Sequence, residues 1–211
     1  MAVAGIVLES QVSGGKVMSV DPDGSGTEGT SLIPLRHEIK GSISIDKDRL
    51  VKLFRSHHIQ SRELVIMCIG SDRSTGDSLG PLIGYKLEKF HIPGISVRGT
   101  LSEPVHAANL AENLELINSS YRHPFVLAVD ASLGTHEHIG YVTLSEGPLR
   151  PGLGVKKELP DVGDIHITGI VNFSGMMESL LLQTTRLSMV MQLADVISKA
   201  ILYGITEYYE M

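Results

Sequence analysis

Two aspartates carry most of the chemistry this chain can offer. Asp77 stands in V-I-M-C-I-G-S-D-R-S-T-G-D-S-L-G-P, a short loop beyond the apolar run 65–69, and Asp130 directly follows the apolar run 125–129. Short apolar runs of this kind read as buried parallel strands, so both acids are expected at the carboxyl edge of one sheet. Paired carboxylates there have three uses. They can share a proton as an acid–base dyad, ligate a divalent metal together with a histidine, or lie solvated at strand ends. Around Asp77, Arg73 is placed to pair with a carboxylate or a substrate, and Ser78 is a candidate helix N-cap ahead of Pro81 in the first helical turn. The dipole of that helix would favour the ionised form of Asp77.

Other candidate chemistries are weaker. The tetrapeptide G-D-S-L (76–79) matches the name-giving motif of a serine esterase group. The late Asp-x-x-His and the Asn-Asp pair those enzymes need are absent, and an N-cap role explains Ser78. Neither a P-loop nor G-x-G-x-x-G occurs. Asp21–Thr27 (D-P-D-G-S-G-T) begins like a calcium loop, but Leu32 occupies the position of the bidentate glutamate, so a turn is expected. Of nine histidines, His57, His58, His91 and His123 read as surface, and His136 and His138 as a solvated turn. His166, inside I-H-I-T-G, and His106, opening P-V-H-A-A-N-L, are the two that could approach the aspartates. The single cysteine, Cys68, lies within the apolar run. It reads as core, excludes an intrachain disulfide, and suits a reducing cytoplasm.

The elements that must position these groups alternate. Helices are expected at 46–56, 79–90 and 105–118, and strands at 65–69, 95–101, 125–129, 140–144 and 164–171, with A-S-L-G after Asp130 as a turn. One long helix or two should fill 174–203. This order predicts an α/β fold, a three-layer α/β/α sandwich on a mostly parallel twisted sheet. It comprises one domain over 46–211, preceded by a Gly/Ser-rich, partly ordered extension over 1–45. The net charge of −6 without a basic stripe argues against nucleic acid as partner. The N-terminus lacks signal-peptide character, and no stretch reads as long and apolar enough to span a bilayer. The apolar excess of the last helix points to deep burial, with a homo-oligomer face as the alternative.

Four separated blocks, C-I-G-S-D-R-S-T-G-D-S-L-G-P-L-I-G, L-S-E-P-V-H-A-A-N-L, V-D-A-S-L-G and G-P-L-R-P-G-L-G-V-K-K-E-L-P, resemble the YyaC-like sporulation proteins from about residue 45 to 203. That family is similar in fold to two peptidase groups, the spore germination protease and the maturation endopeptidases of nickel–iron hydrogenases. The resemblance implies a cytoplasmic endopeptidase of a spore-forming bacterium acting on a protein substrate. Asp77 and Asp130 would be its catalytic aspartates. Arg73, Ser78, Lys156 and Lys157 would be substrate contacts, the two lysines trailing a Pro-Gly-rich loop like that of the germination protease. On this branch no cofactor is expected. On the hydrogenase-endopeptidase branch, Asp77 and Asp130 would instead ligate nickel or zinc with His166, or alternatively His106. There Asp77 stands where that group has a glutamate, one methylene longer. A third alternative keeps the fold and binds a protein or peptide without cleaving it.

Overall fold

The computed structural model describes residues 31–33, 47–151 and 159–209. Their strands are β1 (Ser31–Ile33), β2 (Leu64–Cys68), β3 (Ile95–Arg98), β4 (Phe125–Gly134), β5 (Val142–Glu146) and β6 (Ile165–Phe173). The helices are α1 (Lys47–Ser56), α2 (Leu79–Glu88), α3 (Leu110–Ser120), α4 (Glu178–Gln183) and α5 (Leu187–Tyr209). The strands form one sheet in the order β1-β5-β6-β4-β2-β3. β3, β2, β4 and β6 are parallel, whereas β5 runs antiparallel to β6 and β1 antiparallel to β5. Alternate side chains of the parallel strands go to opposite faces. On one face Leu64, Ile66, Phe125, Leu127, Ile165 and Ile167 bury against α1, α2 and α5; on the other, Val65, Met67, Val126 and Ala128 bury against α3. The expected α/β/α sandwich is therefore the fold observed.

The chain leaves β2 through α2 on one face to reach β3, then returns through α3 on the other face to β4, on the far side of β2. Strand order thus reverses between β2 and β4, and open α/β sheets place their ligand crevice at the carboxyl end of such a switch.

Several boundaries differ from the sequence reading, each for an identifiable reason. Asp130 lies inside β4, not beyond it, because residues 130–134 go on pairing with β6 from Thr168 onward. The helix expected from 105 begins only at Leu110. Val105 is instead held by a parallel bridge to Ile69, and the Asn109 side chain ties residues 104–109 into a turn by accepting from His106 N–H and donating to the Pro104 carbonyl. Strand β3 stops at Arg98 because Gly99 turns the chain at a φ of +82°. Ser31–Ile33, within the stretch read as an extension, joins the sheet as an edge strand. The calcium-like turn and Lys156 and Lys157 lie outside the described residues.

α5 corrects the expectation that no stretch could span a bilayer, since it is long and apolar enough by length and composition. Half of its most apolar window is buried inside the fold, where Val190, Leu193, Ile197 and Ile201 join the core. Packing against α1 and α2 accounts for its apolar excess.

The amino edge of the sheet is closed by Arg62. Its guanidinium donates to the carbonyls of His123 and Pro124 and to the Asp164 carboxylate at 3.1 Å, lying over the Phe125 ring. Asp164 in turn accepts from Val126 N–H. One side chain thus joins the starts of β2, β4 and β6 with charge-assisted bonds in a partly dehydrated place. Arg62→Ala is expected to lower stability by about 2 kcal/mol in urea unfolding. Loss of only a few tenths would show the clamp to be idle.

Candidate active site

Strand pairing fixes the relative height of the two acids. Cys68 pairs with Val129, and Ile69 N–H donates to the Val129 carbonyl, so Asp130 stands level with the Ile69–Gly70 turn that leads into the Asp77 loop. Gly70 has a φ of +141°, and a Cβ there would sit on the Asp77 carbonyl, which accepts the Ser71 N–H. Only glycine lets the loop fold back so closely. The loop is also stapled from the other side. Gly76 N–H donates to the Leu182 carbonyl of α4, and Asn172, at the end of β6, donates to the Leu181 carbonyl and to Thr185 Oγ1. Strands β2 and β6 thereby set the position of Asp77 together.

Asp130 is only 9 % exposed, and its Oδ1 accepts the Ala131 N–H at 2.7 Å. Burial first, and then the negative charge of Asp77, push its carboxyl well above the usual carboxylate range. Asp77 is half-buried. Burial raises it too, opposed by the Ser71 N–H and by the nearby His106 ring. The expected help from the helix dipole does not prevail. The first amides of the helix are already used inside the preceding turn, where Ser78 N–H bonds Ser74 O and Leu79 N–H bonds Gly76 O. The two acids are thus coupled but unequal: Asp130 is the better holder of a shared proton and Asp77 the better base.

His106 joins the pair from the loop pinned to Gly70, whose N–H donates to the Val105 carbonyl. Its Nδ1 accepts the Ala108 N–H at 3.3 Å. His166 is placed differently. It pairs with Ala128, two residues further back along the strands than Asp130, and donates from Nδ1 to the Gly147 carbonyl. Burial depresses its pKa and the Gly147 contact opposes this, with no contribution from either aspartate. Ser78 occupies the N-cap position but caps nothing. It is 7 % exposed and donates to the Thr75 carbonyl at 2.7 Å, which also removes the nucleophile an esterase reading would need. Arg73 is exposed on the loop. Among the described residues no three His, Cys, Asp or Glu side chains gather into a metal-holding set.

A family described as "Protein of unknown function (DUF1256)" matches residues 43–200. The chain belongs to that family. It is 51% identical over 140 residues to the protein described as "Uncharacterized protein YyaC" of Bacillus subtilis (strain 168), covering 66% of this chain and 68% of that one. The resemblance read from the four sequence blocks is thereby borne out. Among solved structures it is similar to a [NiFe] hydrogenase maturation protease, HycI, from Thermococcus kodakarensis KOD1. That likeness has a TM-score of 0.43 at 17% identity, over 73% of this chain and 99% of that one.

Sequence reasoning missed the floor beneath Asp130. Thr168 is its partner across β4–β6, and the Thr168 hydroxyl bonds those of Thr143 and Ser132, at 2.7 and 3.2 Å. The alternation H-I-T in β6, which puts residues 166 and 168 on one face, was the available signal. The rim was missed as well. Met176 (94 % exposed), Met177 and Leu180 form an apolar margin on and just before α4, the element stapled to the Asp77 loop.

Proposed function

We propose that the chain is a hydrolase of peptide bonds in which Asp77 and Asp130 form an acid–base pair acting on a protein substrate. The observation carrying this reading is that one acid is buried and biased towards its protonated form by the other, at the switch point of the sheet. In the first step Asp77, ionised, takes a proton from water as the water oxygen attacks the scissile carbonyl carbon. Asp130 gives its proton to the carbonyl oxygen, and the C=O π bond opens to a tetrahedral gem-diol. Return of one hydroxyl proton to Asp130 and transfer of the proton on Asp77 to the leaving nitrogen then break the C–N bond and restore both acids. The exposed apolar margin along α4 supports a peptide-like substrate with apolar side chains beside the cut. The resemblance to sporulation proteins supports a substrate of the sporulating cell, in the cytoplasm.

The test is a random-sequence peptide library incubated with the protein and read by mass spectrometry, together with Asp77→Asn. Cleavage should fall by about a thousandfold in the variant. The rate of the unmodified protein should trace a bell in pH, because it needs one acid ionised and one protonated. Both limbs should lie above ordinary carboxylate values, since both acids are raised. Equal cleavage by variant and parent would sink the pair mechanism. The same peptides bound but left uncut would favour the binding module.

A further inference from the structure

Resting on that reading, His106 can be given a part in holding the substrate. Ile69, just past the end of β2, has a chain on either side at the same height. On the β4 side its N–H donates to the Val129 carbonyl, which puts Asp130 level with it. On the other side Val105 forms the parallel bridge, and its carbonyl takes the Gly70 N–H at 2.8 Å. The chain turns out of the sheet at Gly99 and comes back at Val105, where β3 would have continued. Asp130 and His106 therefore flank the Gly70 turn, two strand spacings or about 10 Å apart, with the Asp77 loop leaving between them.

The direction of the ring follows from the same bridge. Val105 buries its side chain with Ile69 in the core under α3. The residues after them, His106 and Gly70, project the other way. That is the side of Asp77, whose backbone carbonyl occupies the place of a Gly70 Cβ. The Asp77 carboxyl accordingly feels the ring, which draws it down against burial. Asn109 fixes the loop, its Oδ1 taking the His106 N–H at 2.8 Å while its amide reaches the Pro104 carbonyl. The ring is half-buried, so a ligand can reach it. Its Nδ1 takes the Ala108 N–H, and Nε2 has no partner among the described residues. A neutral imidazole that accepts at one nitrogen donates from the other.

We propose that His106 is a substrate-binding residue, its Nε2 donating a hydrogen bond to a backbone carbonyl of the peptide about two or three residues from the cut. An extended peptide advances about 3.3 Å per residue, so a chain cut over Asp77 and Asp130 and running towards β3 passes His106 within that distance. Every peptide carries such a carbonyl, so the contact secures the chain without selecting its side chains. No covalent bond to His106 forms or breaks in this role.

The experiment compares full-length His106→Ala and His106→Gln with the parent on one cleaved library peptide, and on versions of it shortened residue by residue from either end. In the parent, one shortening two or three residues from the cut should cost about fivefold in kcat/KM, as expected for a single hydrogen bond. His106→Ala should raise KM about fivefold on the full peptide with kcat within about twofold, and should be indifferent to that shortening. His106→Gln, whose amide can also donate, should recover part of the lost KM. Equal KM in His106→Ala and the parent overturns the proposal. So does a loss that is the same at every peptide length, which would assign the ring to the shape of the loop. A parent protein that cleaves nothing overturns the hydrolase reading and this role with it, and that result is distinct from a parent that cleaves no better than its His106→Ala variant.

Discussion

Asp130→Asn is expected to cut peptide cleavage by about a thousandfold and, in the same molecule, to make the fold more stable at pH 8. The first effect follows from removing the proton donor of the pair. The second follows from linkage. The Asp130 carboxyl has a higher pKa folded than unfolded, because burial and the Asp77 charge both disfavour its ionised form. Such a group contributes stability that is full below its unfolded value, near 3.9 for a free aspartate, and is lost as the pH rises through the folded value. Asparagine stays neutral throughout and keeps an Oδ1 able to accept the Ala131 N–H, so it escapes that loss at little structural cost. Variant and parent should melt together at pH 4 and separate as the pH climbs, the variant keeping the stability that the parent loses. Asp77→Asn should gain less, because Asp77 is only half-buried and its charged form is helped by Ser71 N–H and His106. Thermal melts of all three proteins from pH 4 to 9 decide the matter. An Asp130→Asn protein less stable than its parent at pH 8 would mean that the carboxylate is held ionised by contacts outweighing burial.

The aspartate pair was legible because apolar strands of a parallel sheet end at one edge, whatever their tertiary partners. The asymmetry of the pair was not. It arises from the extension of β4 through A-S-L-G, turn-prone in isolation but held in ladder pairing by β6, so that Asp130 is buried in a strand instead of standing beyond it. Tertiary pairing overrode local propensity. The same override moved the start of α3 to Leu110, since apolar Val105 fits the helical period as well as it fits the bridge to Ile69. His106 and His166 were indistinguishable by type and context. Only tertiary pairing shows that one joins the loop bonded to Gly70 while the other lies two residues behind Asp130. The helix N-cap at Ser78 was read from residue type, and the turn before it, which takes the hydroxyl to Thr75, could not be seen in composition.

A large stability loss is expected of Gly99→Ala, best measured beside Gly94→Ala. Both glycines have φ values of about +80°, at +82° and +77°. An alanine at either site bears the left-handed strain, of order 1–2 kcal/mol. Their surroundings separate them. Around Gly94 an added Cβ meets nothing within 4 Å, whereas at Gly99 it falls on the carbonyl oxygen of Cys68, in the middle of the sheet. That oxygen is backbone in a buried strand and cannot turn aside, so the clash adds the cost of overpacking, typically 1–3 kcal/mol. Relief by shifting residue 99 is blocked from the far side, where α2 lies so close that Gly84 has no room for a Cβ against the Gly99 carbonyl. Gly99→Ala should therefore lose about 3–4 kcal/mol in urea unfolding and Gly94→Ala about 1 kcal/mol. The consequence reaches the site, because α2 carries the Asp77 loop at its start. A helix pushed off β3 lifts Asp77 away from Asp130, so Gly99→Ala should also lose cleavage at temperatures where it remains folded. Equal losses from the two glycines would show that backbone strain alone matters at both turns, and that the close approach of α2 to the sheet does not hold the acids together.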